Sequence, residues 1–524
     1  MPSLDSSLWR RLTAVVTVAT LALVLRMAQL ERRPVHHDEA NQAWKAGLLL
    51  DTGVYRYDPH EHHGPTLYYL SLPLAWLQSH GRFAGTEIWV YRLLPALCGA
   101  LLALLVLAAG RALGRGAAAA AALLSALSPA LVYYSRFFIQ EMLLATFSFG
   151  LLLAAARYAA RPSGRWALAA GLCLGLMQAT KETWGLAAAA VLLAALLAAP
   201  SPALAGLRHG GWRHLLLALG AAAAVSVLLY SSFLTYWRGP LDSVLTYATY
   251  LGRGTVDSAD HRHPFGWYLS LLVCRQPFGR FCWGEELIAL LAVWGAVVSW
   301  IRPGWTGGSP ALLRGLTLYA LSLSLAYSLI PYKTPWCLVS FWHAWILLAG
   351  VGAAALVSCL RTRAMRLAAI GVLAAGALWL GRGAWLASTR YAADPRNPYA
   401  YAQTGTDFLR LAQRLDDLRT CAPDGYGIPV YTLAPPDCTW PLPWYLRRYT
   451  RTGYWTAFDP AIVAAPPAVL ITTPALAEAL PHDWPDRYVQ EYYGLRPEVL
   501  LTVFIRRDLW DGLLKARAAP AMPP

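Results

Sequence analysis

Two histidines followed by two carboxylates, His36, His37, Asp38 and Glu39, stand in Pro34-Val-His-His-Asp-Glu-Ala40, just after the first long apolar run of the chain. A second cluster, His60-Glu61-His62-His63, follows a short way on. Adjacent carboxylates suit proton transfer, because an ionised oxygen within reach of a hydroxyl takes its proton as that hydroxyl attacks. Carboxylates among imidazoles also suit a divalent cation, with Asp38, His37 and His62 as candidate ligands. The histidine spacings match no specific zinc signature, so the cofactor stays unknown, with a divalent metal possible. The plainer account of Asp38 and Glu39 is a solvated loop or the N-cap of an interfacial helix over Ala40–Leu50.

Charged groups beside long apolar runs are costly, so their placement is informative. Arg136 and Glu141 lie in Tyr133-Tyr-Ser-Arg-Phe-Phe-Ile-Gln-Glu141, Lys181 and Glu182 in Thr180-Lys-Glu-Thr-Trp184, and Lys333 in Pro331-Tyr-Lys-Thr-Pro-Trp336. All fall at the predicted outer ends of apolar runs. The chain has 40 arginines and four lysines, and Lys45, Lys181 and Lys333 map to that outer side. Cations around a cavity with carboxylates over it suit a phosphate-bearing substrate and a reaction that needs a base. Snorkelling of Lys181 and Lys333 to headgroups, or an Arg136–Glu141 pair, would explain the same residues without chemistry.

The elements that must position these groups are membrane helices. The 524 residues are 57% hydrophobic and 14% charged, outside the range of ordinary soluble domains. Apolar runs of about 20 residues, enough to cross a ~30 Å hydrocarbon layer, are predicted near 10–30, 91–110, 116–134, 138–157, 166–180, 184–200, 214–236, 286–301, 311–331, 337–358 and 366–386. The stretch 64–80 is short and interrupted by proline, and reads as interfacial or re-entrant. With the N-terminus cytoplasmic, arginines collect on the inner loops and acids on the outer ones, which satisfies the positive-inside rule. Residues 388–524 hold 14 Lys+Arg and 14 Asp+Glu, so the net charge of +15 lies wholly in the membrane part and gives no reason to invoke nucleic acid. The chain thus divides into a transmembrane module, 1–387, with a first outer loop at 31–90, and a C-terminal extracytoplasmic α/β domain, 388–524. Strands are predicted at Ile428–Leu433, Ala468–Thr473 and Val499–Ile505. Cys274 with Cys282, and Cys421 with Cys438, are plausible disulfides in an oxidising compartment.

Five motifs in order resemble the GT-C glycosyltransferases: His37-Asp-Glu-Ala40; Tyr55-Arg-Tyr-Asp-Pro59 with His63-Gly-Pro65; Tyr134-Ser-Arg-Phe137; Pro331-Tyr-Lys-Thr-Pro-Trp336; and Pro441-Leu-Pro-Trp-Tyr-Leu-Arg447. More narrowly, they resemble the protein O-mannosyltransferase and aminoarabinose-transferase group, in its bacterial and archaeal flippase-activity-associated branch. The resemblance implies a GT-C-like polytopic α-helical membrane protein of about eleven spans in the cell (inner) membrane. It implies a polyprenyl-phosphate-sugar donor and transfer to an acceptor that is a glycan, a lipid or a protein. Asp38 would be the general base, and Glu39 would position the acceptor or the donor phosphate network. By charge and side, Arg136, Lys181 and Lys333, with Glu141, Glu182 and His63, are the candidate substrate- and phosphate-binding residues. A lipid-linked sugar flippase or transporter and a non-enzymatic assembly scaffold are the competing readings; a transporter would place polar groups near the bilayer midplane, where this chain is mostly Ala and Leu.

Overall fold

The computed structural model of the chain describes residues 6–60, 63–198, 211–256, 261–273 and 284–518. In hydrocarbon the backbone must satisfy its own hydrogen bonds, so the apolar runs form helices. Helix α1 spans Ser6–Met27, α2 His37–Thr52, α3 Thr66–Ser79 and α4 Ile88–Val106. Further helices follow at Arg115–Leu127, Pro129–Tyr134, Glu141–Ala160, Gly164–Gln178, Trp184–Ala198, Trp212–Tyr230, Glu286–Ile301, Pro310–Leu329, Leu338–Cys359 and Arg363–Ser388. Each run expected to span coincides with helix. Six of them, Ile88–Leu113, Glu141–Ala160, Trp212–Tyr230, Pro310–Leu329, Pro335–Cys359 and Arg363–Ser388, are long and apolar enough to cross a membrane by length and composition.

One segment differs in detail from the sequence reading, and the stretch 64–80, too short to span, agrees with it. The run 116–134 is two helices, broken where Ser128 Oγ accepts Leu131 N–H at 3.3 Å and Pro129 takes the first helical turn. The stretch 64–80 is helix α3, whose 14 residues extend about 21 Å, short of the ~30 Å hydrocarbon core. Its Leu70, Trp76 and Leu77 are exposed while Leu67, Tyr68 and Ala75 are buried, as befits a helix with one apolar face left for lipid. Within the bundle, Gly295 and Gly352 face each other's helices so closely that a Cβ on either would strike backbone of the other. Small residues there let Glu286–Ile301 and Leu338–Cys359 approach backbone to backbone.

After Ser388 the chain forms a five-stranded sheet of order β2-β1-β3-β5-β4. Its strands are β1 Val430–Leu433, β2 Thr452–Trp455, β3 Val469–Thr472, β4 Tyr488–Arg496 and β5 Val499–Arg506. β1 runs parallel to β2 and β3, whereas β5 is antiparallel to β3 and β4. Helices Asp407–Cys421 and Arg507–Ala518 cover one face through Leu411, Leu415, Val430, Val469, Ile505 and Leu513. The expected α/β character is thus present, with β1, β3 and β5 where strands were predicted. The Cys421–Cys438 disulfide is not formed: both are free, and Cys438 Sγ lies 3.4 Å from Asp437 Oδ2. Glu61, His62, Cys274 and Cys282 lie outside the described residues.

Candidate active site

The first loop leads directly into α2, and the start of that helix organises the site. His36 has extended backbone and occupies the N-cap position. Its Nδ1 accepts Asp38 N–H at 3.0 Å, and its own N–H donates to Glu39 Oε2 at 3.2 Å, a capping box with histidine in place of serine or threonine. Nε2 of His36 lies 3.1 Å from Tyr401 O. An accepting Nδ1 and a carbonyl opposite Nε2 together assign the neutral tautomer with its proton on Nε2. Burial of the ring, which lowers its pKa below the ordinary histidine value, favours the same form.

The two carboxylates that follow have opposite environments. Glu39 is 0% exposed. Its Oε1 accepts Arg92 Nε at 2.8 Å and Phe138 N–H at 3.0 Å, and its Oε2 accepts Arg92 Nη2 at 2.8 Å and Arg33 Nη2 at 2.9 Å. Burial alone would raise its pKa; Arg33 and Arg92 outweigh that and hold it at about 2. Arg92 also donates to Leu30 O at 2.7 Å and Arg33 O at 3.0 Å. Glu39 is therefore the bolt that fixes the loop to α4 and to segment 136–138, and no lone pair is left over for a substrate. Asp38 is half-buried, and its carboxylate makes no hydrogen bond or ion pair among the described residues. It stands in the first turn of α2, where the helix dipole favours an anion.

The C-terminal unit supplies the other side of the loop. Gln403 Nε2 donates to Pro34 O at 3.0 Å, Thr404 Oγ1 to Val35 O at 2.8 Å, and Val35 N–H to Tyr445 OH at 3.1 Å. Arg448 pairs with Glu87 at 2.6 Å just before α4. These bonds satisfy peptide groups that a buried loop cannot leave bare. Tyr445→Phe is expected to cost about 1–3 kcal/mol by stranding Val35 N–H, read as a lower thermal midpoint; an unchanged midpoint would show that the tie is dispensable.

Three further groups adjoin this loop. On the second turn of α2, Gln42 Oε1 accepts Tyr68 OH and, at 2.9 Å, Gln140 Nε2. Next to Gln140, Glu141 forms a buried ion pair with Lys181, while Glu141 Oε2 has no hydrogen-bond partner among the described residues. Glu182 then accepts His63 Nδ1 at 2.8 Å, with Tyr57 OH at 3.5 Å from its other oxygen. His63 is placed by the docking of its loop onto helix Gly164–Gln178: Thr66 N–H and Oγ1 both donate to Ala179 O, at 3.0 and 2.6 Å, and a Cβ on Gly64 would collide with that carbonyl.

Lys333 lies in a separate group. Its Nζ donates to Ile330 O and, at 3.1 Å, to His263 O, and it forms no ion pair among the described residues. Removal from water lowers its pKa. Lys333 N–H bonds His261 O at 2.9 Å, and the Tyr401 hydroxyl sits 2.7 Å from His261 Nδ1 and 3.3 Å from His263 Nε2. The Trp336 ring meets those of His36 and Tyr401 at 5.5 and 6.2 Å. Pro331–Trp336, His261–His263, Tyr401 and the first loop therefore converge.

The expected cations thus separate. Arg136 donates to Leu25 O, Arg26 O and Gln29 O at 3.0–3.3 Å, closing the end of α1, and does not pair with Glu141. Lys181 is neutralised by Glu141, whereas Lys333 faces no carboxylate among the described residues. For a metal, His37 and Asp38 are adjacent and His62 is outside the described residues; among the described residues no three His, Cys, Asp or Glu side chains converge. Sequence reasoning missed Arg33, Arg92, His261, His263, Gln403 and Thr404, and quoted Tyr445 only within a motif, without a role. The His-Arg-His spacing at 261–263 was a usable signal; Arg33 pairs with Glu39 six residues on without a recognisable spacing, and the rest have only long-range partners. A separate cavity of about 220 Å³, lined by Phe149, Leu153, Val191, Ala195 and Leu316 among other apolar groups, holds none of these residues.

A family model described as dolichyl-phosphate-mannose-protein mannosyltransferase matches residues 72–230. No curated protein matches the chain. Among solved structures, ArnT from Cupriavidus metallidurans bound to undecaprenyl phosphate superposes with a TM-score of 0.62 at 18% identity, over 95% of this chain and 98% of that one. The oligosaccharyltransferase AglB from Archaeoglobus fulgidus, in complex with an inhibitory peptide and a dolichol-phosphate, gives 0.54 at 13% identity, over 98% of this chain and 78% of that one. With apolar helices through the bundle and these likenesses along nearly its whole length, the chain is a multi-pass membrane protein that shares the fold of ArnT and AglB.

Proposed function

We propose that this chain is a glycosyltransferase that moves a sugar from a polyprenyl-phosphate donor to an acceptor hydroxyl, with Asp38 as the general base. The observation that carries this reading is the division of labour at the start of α2. Glu39 is locked by two arginines, and among the described residues Asp38 is left as an unpaired carboxylate beside a site whose Lys333 has no acidic partner. The likeness to proteins that bind undecaprenyl phosphate and dolichol-phosphate supports the donor class. Asp38 takes the acceptor's proton as the acceptor oxygen bonds to the anomeric carbon, and the bond from that carbon to the phosphate oxygen breaks with its electron pair. A single carboxylate opposite a leaving phosphate favours direct displacement with inversion. The released polyprenyl phosphate gains charge that Lys333 and His63 stabilise. Glu39, Arg136 and the Glu141–Lys181 pair position the elements around it. In this reading the chain crosses the cell membrane eleven times, as arginine-rich inner loops favour, with the N-terminus cytoplasmic and residues 388–524 outside.

The test is transfer of a labelled sugar from a polyprenyl-phosphate donor by purified protein in liposomes. Movement of the donor across the bilayer with no transfer would favour a transporter. Lys333→Gln is expected to raise the donor KM about 10- to 100-fold, the worth of one charge-assisted hydrogen bond, with Lys333→Arg recovering part of it. An unchanged donor KM in Lys333→Gln would remove Lys333 from the phosphate site.

A further inference from the structure

The C-terminal unit does more than brace the first loop. Because Gln403, Thr404 and Tyr445 are bonded to Pro34 and Val35, whatever that unit presents at this point is held at a set distance from Asp38. It presents Trp440, Asp437 and Arg496. The Trp440 ring lies 6.3 Å from the His37 ring and 6.4 Å from that of Trp44, two turns further along α2. Arg496 donates to Asp437 O at 3.0 Å and to Asp437 Oδ2 at 3.2 Å. The Asp437 side chain is nevertheless 67% exposed, and both charges are felt at His37.

We infer that Trp440, Asp437 and Arg496 form the acceptor subsite next to Asp38, and that the acceptor it takes is a carbohydrate. This rests on Asp38 being the base. An indole beside a carboxylate and a guanidinium matches a pyranose, whose C–H face packs on an aromatic ring while its hydroxyls both donate and accept. An anionic acceptor head is disfavoured, since Asp437 and Asp38 would both oppose it. A peptide would most simply add to a strand edge, yet the end of β4 at this site is already paired. Leu495 O accepts Gly405 N–H at 2.8 Å, and Gly494 N–H donates to Asp407 Oδ2 at 2.7 Å.

The experiment uses full-length protein in lipid nanodiscs and saturation-transfer NMR, with methyl hexopyranosides and linear disaccharides as one probe set and a serine-containing pentapeptide as the other. Saturable saccharide binding is expected, weakened about tenfold in Asp437→Asn and in Trp440→Ala and largely kept in Trp440→Phe. The solvent-facing Asp437 makes the first variant safe for folding. No saccharide binding, equal binding in Asp437→Asn and Trp440→Ala, or peptide binding that depends on Trp440 would each overturn the inference. The underlying reading fails separately: saccharide binding that follows Trp440 in a protein with no transfer activity keeps the subsite and rejects the glycosyltransferase. Transfer with an acceptor KM indifferent to Trp440 and Asp437 keeps the enzyme and rejects the subsite.

Discussion

Glu39→Gln is expected to destabilise the protein by about 3–5 kcal/mol, the cost of removing one partner from a buried ion pair. Glutamine keeps the size of the side chain and removes its charge. Two guanidiniums would then remain buried without an anion: Arg92, whose side chain is 1% exposed, and Arg33, at 5%, which also lies 3.4 Å over the Phe137 ring. One amide nitrogen would moreover be turned toward Phe138 N–H or toward Arg92, donor against donor. The loop, the start of α2 and α4 should loosen together, so the thermal midpoint in detergent should fall and transfer should be lost with it. A midpoint like that of the wild type would show that the ion pairs are not what holds the loop.

That assignment marks the limit of the sequence reading. The Asp38-Glu39 pair was legible as chemistry because two acids after two histidines are conspicuous in a chain with few charges. The resemblance singled out Asp38, but that Glu39 is locked was not legible, because its partners Arg33 and Arg92 stand six and 53 residues away. The apolar runs were legible because hydrocarbon forces about 20 residues into each helix, and the α/β unit because β-branched runs alternate with amphipathic ones. Strands β2 and β4 were missed: the first is a four-residue edge with a glycine, and the second is rich in polar and tyrosine residues. The ties that fix the first loop join Val35 to residues 369 and 410 positions away, and no local pattern encodes such pairs. Arg136, Lys181 and Lys333 looked equivalent as outer cations. They differ in what faces them among the described residues: helix-end carbonyls, a carboxylate, and carbonyls with no acid.

Asp38→Asn should leave the fold intact and reduce kcat by roughly 10²- to 10⁴-fold, the range for loss of a general base. The contrast with Glu39 follows from their surroundings. The Asp38 carboxylate has no hydrogen bond or ion pair among the described residues, so asparagine strands no partner, and its backbone N–H still donates to His36 Nδ1. The thermal midpoint should therefore stay where it is. Binding should be spared as well, because Lys333 and His63, the groups proposed for the donor phosphate, are untouched; KM for the donor should move little while kcat collapses, the signature of an interaction made only in the transition state. Asparagine cannot accept the proton released as the acceptor oxygen attacks, and water, a far weaker base, must take it. The residual rate of Asp38→Asn should then rise with pH, as hydroxide or an ionised acceptor replaces the missing carboxylate. Full turnover in Asp38→Asn would end the general-base assignment, and a midpoint lowered as far as in Glu39→Gln would mean that Asp38 is a structural residue.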